Sequence, residues 1–301
     1  MTLYAPQYYQ KFSCIADKCR HSCCIGWEID VDPLTLAKYE ALKNEYSAQI
    51  LQSIAREEVP HFRLCAGERC PHLDDRGLCR IITSCGEGCL CDICREHPRF
   101  YNNTVYGREV GIGMSCEEAC RLILSETDFF TVAEVGKRKG RPCRVAFDAL
   151  PHRARIFDVL RKADLSYTEK LASIREDYDI SLSHEDDGEY KELLSSLEYM
   201  KEESRARFSR FSAAEETPRE IEPYLLRAFA YFIYRHVTAA SSEDEIRTAV
   251  GFSLFCERLL CSLAKNEGID SFDSFCGIAR TLSEEIEYSE ENTETIKLAF
   301  F

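Results

Sequence analysis

The sequence lacks any stretch approaching the ~18 consecutive apolar residues that would span a bilayer, so no membrane-spanning helix is expected. It is also short of positive charge. Its 38 Lys and Arg face 52 Asp and Glu, a net of −14. That balance argues against a general nucleic-acid binder, which needs a basic surface to displace counterions from phosphates. No apolar leader with a small-residue cleavage site follows Met1, so a cytoplasmic protein is expected. A glycine-rich dinucleotide turn is missing too. Gly111-Ile112-Gly113 is too short, has no third glycine, and reads as a turn or bulge. The three-cysteine radical motif C-x3-C-x2-C is absent, because Cys19-x3-Cys23 runs directly into Cys24.

Cysteine, by contrast, is abundant and one-sided. Thirteen of 17 cysteines fall within the first 120 residues, and only Cys143, Cys256, Cys261 and Cys276 follow. Thiols in a reducing compartment pack, react or ligate. A disulfide scaffold is disfavoured by the odd count, by the missing leader, and by a length of 301 residues, sufficient to bury a core without staples. A metal site, zinc or iron–sulfur, is the better reading.

The expected fold is mainly α: a loop-rich cysteine-cluster metal domain over 1–125, then a helical bundle over 126–301. The net charge of −14 falls mostly on the second part, which reads as an acidic, solvated surface. Asp32-Pro33 opens a helix through Leu36, Tyr39 and Leu42. Residues 101–104 read as a turn and 105–114 as a short hairpin with Gly107 at its tip. Capping boxes are expected at Ser166 with Glu169, Thr217 with Glu220, and Ser242 with Glu245. Residues 224–237 are apolar nearly all round and predict a buried central helix. A helix over 246–267 should end at Gly268, and 181–188 forms a polar connector.

Four cysteine groups carry the chemistry. They are Cys14-x4-Cys19-x3-Cys23-Cys24 before Gly26-Trp27; Cys70-Pro71-His72-Leu73 with Cys79; Cys89-x-Cys91-x2-Cys94 before Arg95-Glu96-His97-Pro98-Arg99-Phe100; and Ser115-Cys116-Glu117-Glu118-Ala119-Cys120. Spacings of two to four residues let a loop aim two sulfurs at one ion, for zinc and iron–sulfur alike. Only Cys91-x2-Cys94 is a clean two-residue knuckle. A capping box between Ser115 and Glu118 would place Cys116 in the first turn of a helix, where backbone N–H groups favour its thiolate. Cys65, Cys85, Cys143, Cys256, Cys261 and Cys276 read as packing thiols, and Cys120 as either a ligand or a packed thiol. His21, His72 and His97 read as neighbours of the ligands, and Trp27 and Phe100 as covers that exclude water.

These motifs, with Tyr8-Tyr9-x2-Phe12 ahead of the first group and Gly77-Leu78-Cys79 in the second, resemble the flagellin lysine-N-methylase family, within the zinc- or iron-chelating cysteine-cluster proteins. The resemblance covers roughly residues 8–125. It implies methyl transfer from S-adenosylmethionine to lysine side chains of flagellin, with a [4Fe-4S] cluster or, alternatively, zinc. Carried over by position, its metal residues are Cys14, Cys19, Cys23, Cys24, Cys70, Cys79, Cys94 and Cys116. Eight thiols exceed the four that one cluster needs, leaving the others as supports or for a second metal. Cys89, Cys91 and Cys120 are extra to the family pattern. Arg95 and Arg99 are candidates for the cofactor's carboxylate, because guanidinium forks match that group. The alternative role for both is to neutralise thiolates or cap loops. The second reading of the chain is a non-enzymatic metal-chelating or redox module with a helical interaction domain.

Overall fold

The protein is described here by a computed structural model covering residues 1–128, 130–138, 145–181, 187–212 and 217–300. Cys143 and most of the 181–188 connector lie outside the described residues. In chain order the elements are β1 (Thr2–Pro6), α1 (Pro33–Ala41), α2 (Ser47–Ser53), β2 (Ile54–Ala55), β3 (His61–Phe62), α3 (Arg80–Cys85), α4 (Asp92–Glu96), β4 (Arg99–Thr104), β5 (Gly107–Ile112), α5 (Glu117–Ser125) and β6 (Val132–Lys137). Helices alone follow among the described residues. They are α6 (Leu150–Arg161), α7 (Tyr167–Asp177), α8 (Asp187–Ser196), α9 (Glu202–Phe208), α10 (Glu222–Phe232), α11 (Glu243–Asn266), α12 (Phe272–Leu282) and α13 (Glu290–Leu298). The mainly α expectation holds. No helix among the described residues is long and apolar enough to cross a membrane.

Two compact units result, Ser13–Arg99 and Met1–Phe12 with Phe100–Phe301. The boundary differs from the one read at residue 125, and sheet pairing is the reason. β1 lies between β5 and β6 in the order β4-β5-β1-β6, parallel to β5 and antiparallel to β6. The first residues therefore belong with the helices. Residues 101–104 form part of β4 rather than a turn; the chain reverses at Val105 and Tyr106, and Gly107 opens β5. Gly111 lies within β5, not in a turn. A Cβ there would meet the Phe100 ring at 2.2 Å, so only glycine lets that ring lie against the strand.

The helical expectations fare better where the caps are local. Ser166 and Glu169 form both bonds of a capping box, and Ser242 caps α11 through the Glu245 N–H. The chain leaves α11 at Gly268, where the Ile269 N–H reaches back to the Ala264 carbonyl at 2.8 Å. Thr217 starts no helix. α10 begins at Glu222 with Pro223 in its first turn, and Ile221 at the cap. The 224–237 stretch is buried as expected, but its last five residues, Ile233–Val237, form a π-helical turn. A second π-helical turn, Ser283–Glu287, follows α12.

Glu257 and Tyr167 are both buried in the helical unit. Burial pushes the Glu257 carboxyl up to about 7, against the pull of the Tyr167 hydroxyl that donates to it at 2.6 Å. The unfolded side chain releases its proton near 4.5. Between those values the folded state holds the extra proton, so stability falls as pH rises. Glu257→Gln should remove that slope and gain roughly 2–3 kcal/mol over the parent above pH 7. Urea midpoints at acidic and mildly alkaline pH measure this. A parent-like pH slope in the variant would refute the assignment.

Candidate metal centre

The Ser13–Arg99 unit has a small apolar core of Ile29, Val31, Tyr39, Tyr46, Ile50, Ile54, Phe62, Leu73 and Ile81, into which Cys70, Cys89 and Cys91 are packed. Its loops are built by local hydrogen bonds. Asp32 caps α1 by accepting from the Thr35 N–H at 2.9 Å, and its other oxygen takes the Asp92 N–H at 2.9 Å. One residue thus fixes the starts of α1 and α4. Between Cys70 and Cys79, the Asp74 carboxylate accepts from the N–H groups of Arg76 and Leu78 at 2.9 and 2.8 Å. Gly77 turns the chain at φ 78°, a conformation glycine adopts without strain. The Cys70 N–H donates to the Cys24 carbonyl at 2.8 Å, which lays the first cysteine group along the second.

Four of the eight predicted metal residues gather in this unit: Cys24, Cys70, Cys79 and Cys94. A fifth thiol, Cys91, joins them. Cys70 and Cys79 each feel the charge of Cys24; Cys79 also feels Cys91, and Cys94 feels Cys91, Cys24 and Cys70. The proton positions follow from direct contacts. A hydrogen bond from Cys23, helped by Ser22 and Arg69, outweighs burial and brings the Cys24 thiol down to about 7. Cys94 donates to Cys91, which raises Cys94 and lowers Cys91, and Tyr39 reinforces the thiolate of Cys91. Burial, with Cys24 and Cys79 nearby, pushes Cys70 up to about 12, and burial also raises Cys79.

The donor chemistry therefore suits a thiophilic cation. Thiols that raise one another's proton affinity are deprotonated outright when a metal ion stands among them. Geometry is less complete. Among the described residues no group of three or more His, Cys, Asp or Glu stands at ion-holding distances. The thiols gather without converging on one point.

The remaining candidates are placed as follows. Cys14 and Cys23 are exposed, and Cys19 is half-buried after the short turn Ala16–Lys18. Asp17 of that turn lies against Gly77. Cys116 belongs to the other unit and is the N-cap of α5, one residue before its first turn. The expected Ser115–Glu118 box does not form, because Glu118 gives both oxygens to Arg121 at 2.9 and 2.7 Å. Arg95 is engaged by the Asp92 carboxylate and the Leu90 carbonyl, and Arg99 donates to the Arg95 carbonyl at 3.3 Å. Phe100, expected over the metal, packs in the helical unit between Gly111 and Arg235.

His72 is 2% exposed, and both ring nitrogens are engaged, by Tyr46 at 2.8 Å and Ser53 at 2.9 Å. Burial, then Arg80, holds it down to about 4. It props the loop as a neutral ring. His97 is likewise brought down to about 4 by burial and Arg99. Cys65, read as packing, is exposed, whereas Cys256, Cys261 and Cys120 are buried. Two residues outside the eight stand beside the gathered thiols. Cys91 carried its own signal, the clean two-residue spacing to Cys94. Tyr39 carried none beyond its place on the core face of α1, yet its hydroxyl spans the Cys89 carbonyl at 2.7 Å and Cys91 Sγ at 3.5 Å.

Among curated proteins similar to the chain are the lysine-N-methylases of Salmonella typhimurium and Salmonella choleraesuis, each 30% identical over 147 residues. The flagellar biosynthetic protein FliU of Salmonella muenchen is 29% identical over 147 residues. Each match covers 44% of this chain, 35% of either methylase and 83% of FliU. The match therefore spans about a third of the length of the two methylases. The resemblance read from the motifs is borne out at that level. No family model matches the chain, and no solved structure matches it.

Proposed function

We propose that the chain is a protein-lysine N-methyltransferase acting on flagellin or a similar flagellar protein, with S-adenosylmethionine as methyl donor. The observation that carries this reading is its similarity to the two lysine-N-methylases, joined to a unit that gathers thiols from three separate loops. Cys24, Cys70, Cys79, Cys91 and Cys94 are the residues that would hold a [4Fe-4S] cluster or zinc. Bound there, the cluster would add electron transfer to structural support, and zinc support alone.

Lysine methylation requires a neutral amine, because an ammonium has no lone pair and its proton leaves only near pH 10.4 in water. A desolvated pocket and a proton acceptor must lower that barrier. Glu118 does not fit the acceptor role, since Arg121 holds both its oxygens. Pairing of Arg95 with the donor's carboxylate would require its release from Asp92. Changing Arg95 and Arg99 to Gln should weaken S-adenosylmethionine binding at least tenfold with metal content intact, as isothermal titration would show. Retained affinity would leave both arginines as loop supports.

The activity itself is tested by incubating anaerobically purified chain with flagellin and labelled S-adenosylmethionine. Label on flagellin lysines supports the proposal. Without transfer, a colourless protein holding stoichiometric zinc would favour a non-enzymatic metal module. That second reading draws on the match covering 35% of the methylases.

A further inference from the structure

Three cysteines of the helical unit stand apart from the metal centre and share a neighbourhood: Cys116 and Cys120 on the α5 segment and Cys276 on α12. These two helices pack against each other. Cys120 is fully buried and donates to the Cys276 carbonyl at 3.5 Å. Burial raises the proton affinity of its thiol, and the neighbouring Cys276, Arg280 and Cys116 act on it electrostatically. Cys276 is half-buried and so reachable from solvent. The other described cysteines of the unit offer no such pair. Cys261 turns its thiol to the Thr217 hydroxyl at 3.6 Å, and Cys256 lies buried within α11.

We propose that Cys120 and Cys276 form a redox pair, which a low-molecular-weight disulfide closes into a cystine tying α5 to α12. Access sets the order of events. The Cys276 sulfur attacks one sulfur of the small disulfide, whose S–S bond breaks. One small thiol leaves with the Cys276 proton, and a mixed disulfide remains on Cys276. The Cys120 sulfur then attacks the Cys276 sulfur. The mixed bond breaks, and the second small thiol leaves with the Cys120 proton. Two protein thiols have given two electrons, and one small disulfide has become two thiols. Burial and the bond to Cys276 keep Cys120 protonated until that second step, with the Arg280 charge favouring the transient thiolate.

The pair joins residues 156 positions apart in sequence, so closure would constrain the unfolded chain strongly. The helical unit would thereby be more resistant to heat under oxidising conditions than under reducing ones.

The test equilibrates the full chain anaerobically with mixtures of glutathione and glutathione disulfide, alkylates the remaining thiols, and maps the peptides by mass spectrometry. A Cys120–Cys276 linked peptide should accumulate as the disulfide fraction rises and vanish on return to glutathione. Cys276→Ser and Cys120→Ser should each abolish it, whereas Cys116→Ser should leave it. The oxidised parent should melt several degrees above the reduced one, and Cys276→Ser, at a half-exposed position, should lose that difference while keeping its helical circular dichroism. Glutathione that stays on Cys276 without resolving would overturn the proposal. So would a cross-link through Cys116, or equal melting of both forms.

Discussion

Removing the proposed metal with a strong thiol-competitive chelator is expected to unfold the Ser13–Arg99 unit and leave the helical unit folded. The reason is the size of its core. Nine large apolar residues and three cysteines are packed there, between helices of five to nine residues. Helices that short are marginal without tertiary support. Structural metal in small thiolate domains contributes on the order of 10 kcal/mol, comparable to the whole stability of an ordinary domain. Hydrogen exchange read by mass spectrometry separates the two units. Protection in α1 and α3 should collapse after chelation, while α11 stays protected. Cys91→Ser should reproduce the loss, because Cys91 contacts both Cys94 and Tyr39. Full protection of α1 in protein shown to be metal-free would sink the idea.

Breaking the Arg153–Glu109 pair should cost about 3–5 kcal/mol, the next largest effect. Glu109 is 1% exposed and accepts from Arg153 at both oxygens, and Arg153 also donates to the Thr238 hydroxyl at 2.9 Å. Arg153→Met leaves the buried carboxylate without its counter-charge, and Glu109→Leu strands the guanidinium. The double variant removes both charges together and should recover most of the loss. Guanidinium unfolding of the four proteins measures the coupling. Additive losses in the double variant would show that the pair does not act as a unit.

How much was legible depended on the reach of each interaction. The Ser166 box, the Ser242 cap and the apolar 224–237 stretch are written within a few residues, and they were read. β1 was not, because Thr2–Pro6 is a short apolar run whose partners lie more than 100 residues later. The division into compact units departs from residue 125 for the same cause. In the candidate metal centre, the family pattern carried over all eight cysteines, with Cys24, Cys70, Cys79 and Cys94 among them, and left out Cys91. Cys91 stood in the clean two-residue spacing to Cys94. His72, two residues from Cys70, is held by Tyr46 and Ser53, whose positions no motif announces. Glu118 illustrates competition. Its spacing to Ser115 suggested a cap, but Arg121 at i+3 offers a charged partner on the same helix face.

The place of β1 has a consequence for synthesis. As the chain leaves the ribosome, Thr2–Pro6 emerges well before its antiparallel partner β6, which is not complete until Lys137 has been made. The whole Ser13–Arg99 segment is translated within that interval. Domains fold as units while they are made, so the thiol-bearing unit can close before the sheet that flanks it in sequence exists. β1 must meanwhile wait as an unpaired strand, the state in which a nascent chain is most exposed to mispairing.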